Sequence, residues 1–251
     1  MRLFAAAVLL LQGRSDLRVG LDTLYAGEFA VAAQYFSDLS VRDTTDPAPV
    51  VFHAGAYIWW ASAKDSAAFA SATIDSLLGA AIRLARLGGE AQEFWLATAL
   101  GYRARERELH GHSWGAAKDA RAMRDAYRRV LARDSTCVDC WLGLGVYQYG
   151  LARAGALARL VARLIGLGSG DAETGIRYLR RVAHEGGLAR VEGTWVLAAA
   201  LVREADRDRA GRAVLRQEAH GYVARLADRY PGNPVFSRFL AEVPDRPAAA
   251  P

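Results

Sequence analysis

The sequence predicts an all-α protein, a right-handed α-solenoid of about five helix pairs, and three observations support that fold class. Alanine accounts for 50 of the 251 residues, proline for only 7 and hydrophobic residues for 52%, a composition that favours helix over strand. From Asp16 onward apolar residues recur three and four positions apart, which is the period of an amphipathic helix. Clusters of Gly and Pro interrupt this pattern and divide the chain into helix pairs.

The chain opens with nine apolar residues, Leu3 to Leu11, that follow a single Arg. The run has the length of a signal-peptide core and is too short to span a bilayer. We therefore predict a signal peptide over residues 1–13, a mature chain beginning near Gly13 to Ser15, and a periplasmic or envelope-associated protein. A buried first helix is the alternative, because no A-x-A cleavage site follows, and the protein would then be cytoplasmic.

The rest of the chain, 14–243, is predicted to form one helical repeat domain. Its breaks are expected near 43–49, 87–90, 133–136, 166–171, 186–187 and 230–234. A last helix is predicted near 234–242, and the Pro- and Ala-rich tail, 244–251, is predicted to be disordered.

The clearest repeat unit begins at Gly20. Its small and aromatic residues follow the spacing G-x6-G-x-F-x2-A-x3-F-x2-L, at Gly20, Gly27, Phe29, Ala32, Phe36 and Leu39. This unit resembles the tetratricopeptide repeat (TPR), a helix-turn-helix in which small residues let two helices approach and aromatic rings fill the space between them. A second opening signature is Trp141-x-x-Leu144-Gly145.

The small residues expected at the helix contacts do not follow a constant period. They are Gly20, Gly55, Gly101, Gly145 and Ala199, at intervals of 35, 46, 44 and 54 residues. The standard TPR period is about 34 residues, so the longer intervals predict extended or inserted helices. The repeats are therefore predicted to be degenerate and TPR-like.

The run 141–180 is similar to bacterial relatives of the TPR family that includes eukaryotic mitochondrial outer-membrane and inclusion-clearance proteins. The residues that match are Gly143, Gly145, Tyr147, Gly170, Asp171, Gly175 and Leu179. This resemblance implies a non-enzymatic protein that acts through interactions.

Aromatic and Arg side chains are expected on the first helices of the pairs, which line the concave face of such solenoids. The repeat register places eight candidates there: Tyr25, Trp59, Trp60, Trp95, Tyr102, Arg105, Tyr149 and Arg203. These residue types commonly anchor binding surfaces. The alternative is that the rings pack between helices.

The segment 151–168 contains three arginines and no acidic residue among regularly spaced apolar residues. Its candidate contact residues are Arg153, Leu157, Arg159, Leu160, Arg163 and Leu164. A basic amphipathic helix can lie on an anionic membrane surface or cover a groove. The alternative is an inserted helix that packs on the solenoid.

The motif Cys137-Val-Asp-Cys140 allows three interpretations: packing, a local disulfide in an oxidising compartment, or metal and redox chemistry. A structural zinc site needs two further ligands, and the sequence has no second CxxC. His110 and His112 are interpreted as residues of an exposed loop. No metal site and no cofactor is predicted.

Catalytic and nucleic-acid-binding functions are disfavoured. The sequence contains no GxSxG, HExxH, Walker or dinucleotide-binding motif. The formal charge is +5, but the arginines alternate with acidic residues and are interpreted as solvated helix faces.

Two classes of function are therefore expected, neither of them enzymatic. The first is a scaffold that holds a protein or peptide segment in its concave groove. The second is a carrier of a small apolar or lipid ligand in that groove, serving a transporter. The sequence does not indicate the identity of the partner or the oligomeric state.

Overall fold

A computed structural model describes residues 15–155, 162 and 166–243. The all-α prediction is confirmed, since these residues form helices joined by turns and contain no strand. The helices pack consecutively.

The helix boundaries follow the Gly and Pro breaks of the sequence. Helix α1 covers 15–25, and the following helices are α2 (Phe29–Arg42), α3 (Pro47–Ala63), α4 (Ser71–Leu87), α5 (Glu93–Leu109), α6 (Ser113–Arg133) and α7 (Cys140–Arg153). The second half contains α8 (Ala172–Glu185), α9 (Arg190–Ala205), α10 (Arg212–Arg229) and α11 (Pro234–Glu242). Each predicted break overlaps a helix boundary, and the last helix is present at 234–242. The turns at 64–70, 110–112 and 206–211 carry no comparably strong signal.

Capping residues explain where several helices begin. The Asp46 carboxylate accepts a hydrogen bond from the Ala48 amide at 2.9 Å, and Pro47 occupies the first helical position of α3. The Asp171 carboxylate accepts one from the Thr174 amide at 2.6 Å at the start of α8. These side chains satisfy amides that have no partner within the helix.

The helices are arranged in an inner and an outer layer. Helices α3, α5, α7 and α9 contact one another in succession, and the even-numbered helices pack behind them. The inner helices therefore face a common interior.

Three of the five predicted small residues lie at close helix contacts. A Cβ atom at Gly20 would lie 2.6 Å from the Phe36 ring, and one at Gly101 would lie 2.8 Å from the Met123 sulfur. A Cβ atom at Gly145 would lie 3.1 Å from the Gly175 carbonyl oxygen. The other two positions, 55 and 199, make no such contact.

At positions 55 and 199 the residue predicted to lie at the helix contact does not lie there. A Cβ atom at Gly55 would lie 3.8 Å from the Tyr102 ring, an ordinary contact distance. Ala199 faces the interior and its neighbour Ala198 is fully buried. Because each residue advances about 100° around a helix, a shift of one position changes which face a residue occupies.

The last helix closes the array by packing against the first ones. Phe236 of α11 is fully buried, with its ring centre 5.8 Å from both Trp59 of α3 and Trp195 of α9. The Tyr230 hydroxyl, just before α11, donates to the Asp22 carboxylate of α1 at 2.7 Å. These contacts cover the interior on the side of α11, while the cavity keeps an open side, where Val146 of its wall is exposed.

Asn233 joins the two ends of the chain, and its removal is expected to weaken that junction. Its amide nitrogen donates to the Tyr25 carbonyl at 2.9 Å, and its oxygen accepts from the Val235 amide at 3.0 Å. Asn233→Ala should lower the free energy of unfolding by about 2 kcal/mol, because a helix cap and a buried carbonyl lose their partner.

Urea unfolding followed by circular dichroism measures this effect. Ser237→Ala in the same helix is the control, and its exposed side chain predicts a change within about 0.5 kcal/mol. Equal losses in the two variants would contradict a special role for Asn233.

Candidate functional site

A cavity of about 470 Å³ lies between the inner helices α3, α5, α7 and α9. This volume falls within the range of roughly 300–1,000 Å³ that is usual for small-ligand sites. Aromatic rings form much of its wall, contributed by Phe52, Trp59, Phe94, Trp95, Tyr102, Tyr127, Tyr149 and Trp195. The aromatic surface of this cavity is the main functional candidate of the described residues.

Ring-to-ring contacts hold the aromatic wall in place. Trp59 and Trp195 lie 6.0 Å apart between ring centres and connect α3 with α9. Trp95 contacts Phe52 edge to face at 5.5 Å and Phe94 at 4.9 Å. Such ring pairs add to the free energy gained by burial. They hold the side chains of the wall in position, so the shape of the cavity is largely set without a ligand.

One face of α9 lines the cavity along the length of the helix. The lining positions are Glu192, Trp195, Val196, Ala199, Ala200 and Arg203, spaced three and four residues apart. Eleven residues of α-helix span about 16 Å. The small side chains in the middle of this face leave space, while its two ends carry opposite charges.

Glu192 is the acidic group at one end of this face. The Tyr102 hydroxyl donates to its Oε2 atom at 2.5 Å. Burial raises the pKa of Glu192, and this effect exceeds the lowering by the Tyr102 hydrogen bond and the nearby charge of Arg105. Burial, with the charge of Glu192, also raises the pKa of Tyr102, which keeps the phenol protonated as a donor.

Several other polar groups of the wall have protein partners. The Asp139 carboxylate accepts hydrogen bonds from the Gly187 and Leu188 amides at 2.7 and 2.9 Å. The hydroxyls of Tyr127 and Thr98 bond to each other at 2.9 Å. These contacts connect neighbouring helices and turns.

The Tyr149 hydroxyl contributes to a second bridge between inner helices. It donates to the Glu204 carboxylate at 3.0 Å, which also pairs with the guanidinium of Arg153. Burial and the hydrogen bond to Glu204 raise the pKa of Tyr149 to about 12. This bridge joins the ends of α7 and α9.

Six of the eight residues predicted for the concave face line the cavity. They are Trp59, Trp95, Tyr102, Arg105, Tyr149 and Arg203. The side chains come from α3, α5, α7 and α9, which the fold brings together around the cavity. Their role in binding a partner stays a prediction.

Tyr25 and Trp60 do not line the cavity, which corrects their predicted placement. Tyr25 is buried, with its ring 5.4 Å from Trp59 and 5.8 Å from Tyr230. Trp60 follows Trp59 and is rotated by about 100° around the helix, where it stacks on Tyr57 and contacts Phe69. Only one of the two adjacent Trp side chains can face the interior.

Sequence reasoning missed Glu192. A lone acidic residue in the first turn of an apolar helix is the signal that could have indicated it. However, acidic residues are favourable at helix N-termini for electrostatic reasons alone. Only the position of α5, which brings Tyr102 against it, distinguishes Glu192 from an ordinary residue of a first helical turn.

The predicted groove-covering segment is described only in part. Leu157, Arg159, Leu160, Arg163 and Leu164 lie outside the described residues. Arg153 belongs to α7 and pairs with Glu204 of α9. Its charge is thus partly neutralised within the fold.

The two cysteines form a disulfide at the start of α7. Of the three interpretations of the motif, the structure therefore corresponds to the local disulfide. Among the described residues no group of three or more His, Cys, Asp and Glu side chains is placed to hold a metal ion. Within the same residues, no helix is both long and apolar enough to cross a membrane.

Comparison of the chain with protein-family models, with curated proteins and with solved structures finds no significant match.

Proposed function

We propose that the protein is a non-catalytic carrier that encloses a small, largely apolar molecule between α3, α5, α7 and α9. The observation that carries this proposal is the cavity of about 470 Å³ with its preformed aromatic wall. Removal of apolar ligand surface from water supplies the main driving force for binding, and the rings provide that contact area. We include in the proposal that the helix pairs are degenerate TPR-like repeats in a right-handed solenoid.

The contacts of α11 favour a small ligand over an extended peptide. A peptide groove must be open along its length, whereas Phe236 packs between Trp59 and Trp195 and connects the first and last helices. A protein or peptide partner, the other expected class, could enter from the open side of the cavity, but a long segment would have to separate these buried contacts. This cost disfavours it relative to a ligand that fits the existing cavity.

We also propose that the protein is exported to the periplasm or the cell envelope. The disulfide between Cys137 and Cys140 supports this location, because disulfides form and persist mainly in oxidising compartments. The apolar run at the start of the sequence supports the same proposal.

Filling the cavity tests the proposed function. Ala199 lines the cavity at the middle of α9, so Ala199→Trp should occupy the ligand space without removing an existing contact. The matched control is Ala213→Trp, on the exposed side of α10. The probe is N-phenyl-1-naphthylamine, a neutral aromatic dye whose fluorescence increases in apolar surroundings.

We expect the parent protein and Ala213→Trp to bind one dye molecule per chain with similar affinity. Ala199→Trp should weaken binding by at least about tenfold, because the ligand and the new side chain compete for one space. Equal dye binding by all three proteins would contradict the cavity as the site. Absence of dye binding to the parent protein would count against the proposed function itself.

A further inference from the structure

We propose that the cavity binds ligands that carry a protonated amine, with Glu192 as the counter-ion of the ammonium group. This inference rests on the proposed function and adds the charge and the orientation of the ligand. Three features support it: the Oε1 atom of Glu192, which accepts no hydrogen bond from a described residue, the aromatic rings of the cavity wall, and the positions of the charged side chains in that wall.

The Glu192 carboxylate has one oxygen available to a ligand. Tyr102 occupies Oε2 at 2.5 Å, and no described residue donates a hydrogen bond to Oε1. No cationic side chain of the described residues forms an ion pair with Glu192 either; the nearby Arg105 pairs with Glu106. The Glu192 side chain is part-buried. A partly desolvated carboxylate without a cationic partner is unfavourable, and an ammonium group can supply both the charge and the hydrogen bond.

Aromatic rings line the same cavity wall as Glu192. Trp195 lies three residues after Glu192 on the same face of α9, and Trp59 contacts Trp195 from α3. The faces of aromatic rings attract cations, most strongly where water is displaced. Rings beside a carboxylate therefore suit an organic amine at the Glu192 end of the cavity, whereas Arg203 lies at the other end of this face of α9.

The other groups facing Glu192 do not replace the ligand's charge. Tyr25 from α1, Tyr102 from α5 and Tyr127 from α6 interact electrostatically with it, and burial raises the pKa of each of these phenols, which stay neutral. The second acidic group of the wall, Asp139, accepts two backbone hydrogen bonds. Arg203 lies eleven residues from Glu192, about 16 Å along α9.

The affinity for an amine should depend on pH in a defined direction. Burial raises the pKa of Glu192, so the carboxyl group of the empty cavity is protonated at pH values where an exposed glutamate is ionised. Amine binding requires the ionised form, and its affinity should increase as the pH rises through the raised pKa of Glu192. A neutral ligand of equal size should not show this increase.

Octylamine, octan-1-ol and octanoic acid test the inference with one apolar chain and three head groups. Isothermal titration calorimetry on the full chain should show octylamine binding at least about tenfold tighter than octan-1-ol, which corresponds to about 1.4 kcal/mol. Glu192→Gln should remove this preference. Glu173→Gln, an exposed acidic residue also in the first turn of a helix, is the matched control and should retain it.

The outcomes separate the two proposals. If octan-1-ol binds and octylamine binds no tighter at any pH, the amine inference is overturned while the carrier function stands. If octanoic acid binds most tightly, the ligand is anionic and the inference is equally overturned. If none of the three binds and the cavity-filling variant also has no effect on dye binding, the proposed function fails with it.

Discussion

Phe236→Ala is expected to lower the free energy of unfolding by about 3–5 kcal/mol, the usual loss for a large ring in a packed core. The Phe236 side chain is fully buried and lies edge to face against Trp59, with Trp195 on another side. Its removal leaves a space between α3, α9 and α11 that the surrounding helices can only partly fill. Chemical unfolding monitored by circular dichroism measures the loss.

Phe239→Ala is the matched control for this substitution. Phe239 lies one turn further along α11, is only half-buried and contacts Trp195 at 5.4 Å. Its truncation should cost clearly less, about 1–2 kcal/mol. Similar losses in both variants would mean that α11 is held by general apolar contact, and Phe236 would have no special role in closing the array.

Phe236→Ala should also affect the cavity. Trp59 and Trp195 line it and both contact Phe236, so the space left by the ring lets either indole move. Ligand affinity should decrease even under conditions where the variant remains folded. Normal affinity in the folded variant would show that the wall does not depend on α11.

The positions of the helices could be predicted from the sequence because local chemistry determines them. Asp46 with Pro47, and Asn233 with Pro234, are a side-chain cap followed by a proline that fits the first helical position. The three-and-four spacing of apolar residues marks the buried face of each helix. Both signals can be recognised within a few residues of chain.

The closure of the array could not be predicted in this way. The hydrogen bond from Asn233 to the Tyr25 carbonyl joins residues 208 positions apart, and no local pattern encodes that pairing. Tyr25 was consequently expected in a groove, although it is buried against Trp59 and Tyr230. For the same reason the sequence did not predict that α11 packs against α3 and α9.

Several aromatic residues of the cavity wall could likewise be predicted from local sequence patterns, whereas its acidic residue Glu192 could not. The repeat register places Trp59, Trp95 and Tyr102 on inner helices, and the structure brings them to one wall. Glu192 became a candidate only through the contact with Tyr102, 90 residues earlier in the chain. Local patterns therefore predict which helices line the interior, whereas the polar chemistry within it depends on the tertiary packing.

Ligand binding in the cavity also has a consequence for stability. A ligand that binds the folded chain alone stabilises the protein by mass action, by about 2.7 kcal/mol at a hundredfold excess over Kd. An increase of the melting temperature with ligand concentration is therefore expected for the parent protein.

Gly145→Leu is expected to lower the free energy of unfolding by about 3 kcal/mol, at the upper end of the usual overpacking cost. A Cβ atom at this position would lie 3.0 Å from the Leu179 side chain and 3.1 Å from the Gly175 carbonyl oxygen. The backbone of α8 cannot rotate away as a flexible side chain can. A leucine would therefore push α7 and α8 apart and expose the buried Leu179.

Gly150→Leu in the same helix separates this steric effect from helix propensity. No atom lies within 4 Å of a Cβ atom at Gly150, and replacing a helical glycine by leucine ordinarily stabilises a helix by up to about 1 kcal/mol. The control should thus be neutral or slightly more stable, whereas Gly145→Leu loses stability despite the same gain in propensity. Unchanged stability of Gly145→Leu would show that α7 and α8 do not pack as a close pair, and the proposed TPR-like register would then be wrong at the repeat that contains Gly145.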